Sequence, residues 1–360
     1  MGLEQRVSFS TNKLWGWLAT AYLIGVPCLW WTGLIQDRVQ GVAWHLGAFA
    51  LFGVSLLCES QRVLKSYAIG VSLLCALIPC MVHAQANGYT ILTLNLFIAA
   101  AVIVCLITKA PNSDWLIRRV KCLFWINAGY ALMQRFGLDP LFENTAAGMF
   151  SRINQLSALL LVAVPFVGRA GMVAAIVFFL LLQSWTGILG TILLLGYREL
   201  KNPKWNLSRI GLASLASAVA TGLLAQPAMW RENVVPRIET WKHVIKKALW
   251  SPFFGYGNTV GNFADAGINS WTYSVPVGAF YAIGVLGILA CLVIVRWVVK
   301  SHHSTVKEAM LLFMWACLFQ SFLDFPRMIL LGCCLLAALE IKNQEIENEN
   351  RRSERAVPSV

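Results

Sequence analysis

The chain has 360 residues, 58% of them hydrophobic and only 13% Asp, Glu, Lys or Arg, with a formal net charge of +12. Soluble domains average about 25% charged residues, so the composition points to a polytopic membrane protein. Positive charge gathered in loops is what membrane topology asks for, which argues against nucleic acid as the partner.

The opening MGLEQRVSFSTNK is too polar for a cleaved signal, so the first apolar run is expected to remain as a signal anchor. Apolar runs near twenty residues without alternation then recur along the chain, which predicts helices rather than a barrel. About twelve spans are expected, over 14–35, 41–58, 66–85, 89–108, 119–135, 155–168, 170–183, 186–197, 208–227, 275–299, 307–323 and 327–341. The three between Gln155 and Tyr197 are short and are expected as tilted or incomplete crossings. All ten cysteines lie inside or at the ends of these runs, where thiols act as small hydrophobes, so neither a disulfide nor a metal ligated by cysteine is expected. The predicted fold is an all-α membrane helix bundle over residues 1–341, with 342–360 as a charged, disordered tail.

Twenty of the twenty-nine Lys and Arg fall in alternate loops and in the two ends of the chain, which places those loops and both termini in the cytoplasm. The other nine are Arg38, Arg135, Arg152, Arg231, Arg237, Lys242, Lys246, Lys247 and Arg327. Five of them stand in or beside one loop, 227–273, which keeps its charge against the topological preference and so suggests a use for it.

In that loop Ile238, Trp241, Ile245, Ala248 and Leu249 recur at helical spacing opposite Glu239, Lys242, His243, Lys246 and Lys247. The pattern predicts an amphipathic helix on a lipid surface, with Trp241 and Trp250 at the interface and the lysines on lipid phosphates. Arg231 and Arg237 suit a pyrophosphate, because guanidinium binds its oxygens in a two-pronged fork. The glycines of SPFFGYGNTVGNF, among them Gly255 and Gly257, permit either plain turns or close backbone approach to a ligand.

The order Arg237, Trp241, Pro252, Gly255, Gly257, Phe263 and the spacing Tyr273, Ser274, nine residues, Gly284, two residues, Gly287 resemble the C-terminal half of the O-antigen ligase and polymerase superfamily. Upstream, MQRFGLDPLF and MFSRINQLSALLLVAVP resemble its Gln-x-x-Gly-(Ile/Leu)-Asp-Pro segment and the following helix start. There Asn154 and Leu156 match, while Ser151, Arg152 and Ile153 depart from the usual residues. QSWTG around Ser184 resembles the family's Ser-Arg step. The resemblance covers roughly Met133 to Gly287.

It implies a polytopic, GT-C-like glycosyltransferase that needs no metal or cofactor and works at the periplasmic face of the bacterial inner membrane. The implied donor is a glycan on undecaprenyl pyrophosphate, the acceptor a lipid or glycan hydroxyl, and the lipid bilayer a further partner. Arg237, with Arg152, is implied to stabilise charge on the leaving pyrophosphate. Arg231, Arg135 and Arg327 are expected at the same face, and Trp241, Gly255, Gly257 and Asn154 along the substrate. Tyr273 stands where the family has histidine, and its hydroxyl, with a pKa near 10, is a poor base. Asp265, Glu239, His243, His45 and His83 are the alternatives. A protein O-oligosaccharyltransferase, or a transporter or flippase of lipid-linked glycans, remains open, although no internal repeat of the transporter kind is seen.

Overall fold

A computed structural model describes residues 14–25, 47–48, 50–51, 87–137, 153–182, 184–201, 235–256, 274–320, 322 and 326–356, and all regular structure among them is helical. Helix α1 covers 14–25. It is followed by α2 (Asn87–Lys109), α3 (Ser113–Arg135), α4 (Ile153–Ala163), α5 (Gly168–Leu181) and α6 (Trp185–Lys201). The second half holds α7 (Val235–Ala248), α8 (Val275–Ile283), α9 (Val285–Lys300), α10 (Thr305–Phe319) and α11 (Pro326–Ala356).

Local chemistry sets several boundaries. Asn112 caps α3 by accepting from the Trp115 amide at 2.8 Å, and Asp114 and Arg135 complement the helix dipole at its two ends. Ser304 caps α10 by accepting from Lys307 N, with Glu308 in the first turn. The apolar stretch predicted as one span over 275–299 is broken at Gly284, whose φ of 69° and ψ of −150° separate α8 from α9.

The core forms around α4, which is buried on every side from Gln155 to Ala163 and packs on α3, α5, α6 and α10. Helix α11 lies against α2, α3 and α10, and Phe124, Leu159, Phe179 and Met328 are among the largest wholly buried side chains.

Polar contacts show how the helices run. Glu345 in the second half of α11 accepts from Ser113 N and Oγ at 2.9 Å each, at the start of α3. Asn343 bonds Ser301 and the His302 amide in the turn before α10. Thus α11 runs antiparallel to α3 and α10, and its first residues lie where those two helices end. Arg198 near the end of α6 donates to both oxygens of Glu308, while Trp315 Nε1 donates to the Thr186 carbonyl at the start of α6. Helix α6 is therefore antiparallel to α10 as well.

The expectation of about twelve membrane spans is corrected by these helices. Among the described residues, no helix is long and apolar enough to cross a membrane. Helices α4, α5, α6, α8, α9 and α10 run only 9 to 17 residues, against about 20 for the hydrocarbon layer. Helix α3 carries Asp114, Arg118, Arg119 and Lys121, and α11 is polar beyond Glu340. The GT-C-like polytopic bundle and the multi-pass inner-membrane placement with cytoplasmic termini fall with it, because hydropathy reports apolar content and not where a helix breaks.

Residues 342–356, read from sequence as a charged tail, continue α11 as helix. Burial acts to raise the Glu345 carboxyl, but the bonds from Ser113 and Lys342 outweigh it and hold the pKa below the usual carboxylate range. A carboxyl depressed by folding adds stability above its unfolded pKa and loses it as pH falls through the folded one. Glu345→Gln is therefore expected to lower stability at neutral pH by about 1–2 kcal/mol. The gap from the native chain should close in acid; denaturant melts across pH check this, and a gap that stays constant would refute the ionic contribution.

Candidate functional site

Helix α7 carries the motif arginine, and its packing differs from the predicted face. The buried stripe is Thr240, Val244 and Ala248, spaced by four and set against α8, whereas Ile238, Ile245, Leu249 and Trp250 are exposed. The physical reason is size: the small and β-branched stripe lets α7 approach α8, and the bulkier aliphatic stripe is left outward. Val244 and Ala248 close on Tyr281, with Val277 and Phe280 alongside.

The loop after α7 ties this pair together. Tyr256 N donates to the Tyr281 carbonyl at 2.8 Å, Val285 N donates to the Pro252 carbonyl at 2.7 Å, and the Tyr256 and Tyr281 rings stack at 5.1 Å. Gly255 has φ 63°, and a Cβ on it would stand 2.5 Å from the Ala282 carbonyl carbon. Its freedom therefore serves the approach of two backbones within the protein. Burial, then the neighbouring Tyr256, pushes the Tyr281 hydroxyl up to about 12, so it stays protonated at neutral pH.

Arg237 lies half-buried in the first turn of α7, and its Nη1 donates to the Phe319 carbonyl at 3.5 Å, at the last turn of α10. Trp241, half-buried, follows one helical turn later. The ends of α3 and α10 and the start of α11 gather in the same region, with Arg135 exposed at the end of α3. Arg327 in the first turn of α11 is different: it is 3% exposed and lines a small cavity with Arg119, Leu159 and Leu330. Arg119 is itself engaged, stacking at 3.8 Å on Trp115 and donating to Thr20 Oγ1.

Asn154 is exposed in the first turn of α4, and its neighbour Gln155 is buried. Gln155 Nε2 and Oε1 and Ser157 Oγ have no hydrogen-bond partner among the described residues. Such atoms cost about 1–3 kcal/mol each unless water or a ligand group meets them. Gln155 stands one turn before Leu159, which lines the same cavity as Arg119 and Arg327. Sequence reading passed over it, although a Gln inside an otherwise apolar helix is the signal that finds it.

Of the other expected site residues, Arg152, Arg231, Gly257, Asp265 and Tyr273 lie outside the described residues, as do His45 and His83. Glu239 and His243 are exposed on the outer face of α7, where Glu239 accepts from Lys242 at 3.0 Å and His243 Nδ1 lies 2.9 Å from the Glu239 carbonyl. No group of His, Cys, Asp and Glu able to hold a metal occurs among the described residues. No family model matches the chain, and no curated protein matches it.

Proposed function

We propose that the chain is a glycan transferase of the O-antigen ligase and polymerase type, moving a glycan from a polyprenyl pyrophosphate carrier to an acceptor hydroxyl. The observation that carries the reading is Arg237, a half-buried guanidinium held at the last turn of α10 with Trp241 one turn away. A cation so placed, partly out of water, is suited to the charge that develops on a departing pyrophosphate. The aromatic ring beside it suits a sugar face.

In the reaction the bond from the anomeric carbon to the pyrophosphate oxygen breaks, and the pyrophosphate leaves with the electron pair. The acceptor oxygen forms the new bond and gives up its proton to a base. Arg237 takes the first role; the motif position of Tyr273 and the carboxylate Asp265 are the candidates for the second. The carrier is a lipid, and the exposed apolar side chains of α5 and α9, such as Leu180, Leu289 and Leu292, support contact with a lipid surface.

The test is the glycan profile of cells with and without the gene, as a lipopolysaccharide ladder beside an extract of lipid-linked oligosaccharide. Collapse of the ladder to one repeat on core marks a polymerase. Bare core with polymer accumulating on the carrier marks a ligase. Two unchanged profiles remove both and move a protein acceptor or transport ahead.

A further inference from the structure

Four sulfur side chains meet at one cavity. It measures about 540 Å3, lies between α6, α8, α9 and α10, and is lined by Cys291 of α9 and by Met310, Met314 and Cys317 of α10. Met310, Met314 and Cys317 recur at i, i+4 and i+7, so they share one face of α10. Cys291 shares a face of α9 with Ile294 and Val295, which line the same cavity, opposite the exposed Leu289, Leu292 and Arg296.

The turn 301–304 sends α10 back along α9. Cys291 stands as many residues before the end of α9 as Met314 stands after the start of α10, which sets the two at a similar height. Cys317 and Met310 then fall within about a turn on either side. The two thiols also sense each other. Burial first, then Cys291, pushes the Cys317 thiol up, and burial holds Cys291 at about 11.

As mere filling, thiols and thioethers act as soft hydrophobes. As donors, two thiols beside two thioethers form a set suited to monovalent copper. Zinc is ordinarily held by Cys, His and carboxylate, and the carboxylate on this wall, Glu308, is already engaged by Arg198 at 2.6 Å. The partly exposed Leu193, Val295 and Leu318 leave a side of the cavity open as an entry path.

We propose that Cys291, Cys317, Met314 and Met310 form a binding site for one soft monovalent ion, copper(I), on the wall of this cavity. On binding, one of the two thiols gives its proton to solvent, and the resulting thiolate cancels the charge of the ion. The second thiol and the thioethers complete the coordination as neutral donors, so no net charge is added to an apolar wall. The site stands apart from the glycan-transfer reading and draws on none of its residues.

The purified full-length chain, reduced and kept free of oxygen, is titrated with copper(I) in competition with the chelator bicinchoninate, while the ultraviolet thiolate-to-copper band is recorded. Uptake of an equivalent is expected. Cys291→Ser and Cys317→Ser should each weaken it by more than the roughly 10–100-fold that a change outside the ligand shell costs. Cys122→Ser, at an exposed thiol of α3, should leave it untouched. Met314→Leu keeps volume and apolar character, so its metal-free melt should match the native chain while copper(I) affinity falls about tenfold. Copper(I) should also raise the melting temperature of the native chain more than that of Met314→Leu. No uptake against the chelator, or uptake unchanged in Cys291→Ser and Cys317→Ser, overturns the site. Affinity unmoved in folded Met314→Leu overturns it as well, since ordinary thiol binding elsewhere in the chain would then account for the copper.

Discussion

Arg237→Ala is expected to lower glycan transfer at least about a hundredfold, at matched protein levels, because a preorganised donor lost from a developing negative charge costs about 3–4 kcal/mol. Transfer is read as the rate of appearance of glycan on the acceptor from a lipid-linked donor. Arg237→Lys should recover part of the rate, since it restores the charge but replaces a planar fork by a point. The pair separates two roles: a residue that only packed α7 against Phe319 would be harmed by both changes alike. Full activity in Arg237→Ala, with the chain folded, would sink the assignment, and among the described residues the geometry offers no equivalent substitute. Arg327 is buried away in a cavity with Arg119, and Arg135 is exposed at the end of α3.

The second large effect is structural. Gly284→Ala is expected to destabilise the chain by about 3 kcal/mol or more, combining a backbone conformation open only to glycine with a steric clash. Its φ is 69°, and a Cβ would stand 2.5 Å from the Pro252 carbonyl oxygen and 2.6 Å from the Phe253 carbonyl carbon. Those are backbone atoms of the loop that joins α7 to α8, so no side chain can swing aside. Gly196→Ala is the control: it lies within α6 with nothing within 4 Å of the added carbon, and should stabilise by up to about 1 kcal/mol. Thermal melts of both variants measure the contrast. If Gly284→Ala melted with the native chain, the break between α8 and α9 would not depend on that glycine.

Much of the secondary structure was legible before any coordinates. The predicted run 307–323 corresponds to α10 at 305–319, and the short runs after Gln155 correspond to α4, α5 and α6, with boundaries moved by a few residues. The Arg-x-x-x-Trp spacing also places Arg237 and Trp241 on one face of α7. What failed was the inference from apolar content to membrane spans. An apolar stretch states that burial is favourable, but whether it forms one long helix or two short ones depends on residues such as Gly284, whose left-handed backbone is set by the Pro252–Phe253 backbone packed against it.

Sequence by itself determined that the described residues are helical, that the apolar runs must find cover, and that a positively charged segment stands between two of them. Tertiary structure alone decided which stripe of α7 is buried, that Gly255 and Gly284 serve backbone packing, that Arg327 turns inward, and that Glu308 meets Arg198 across 110 positions of chain. Helical periodicity is local and shows in a window of a dozen residues. The cavity beside α10 and the choice between two apolar stripes depend on contacts between segments far apart in sequence, and no local pattern encodes those.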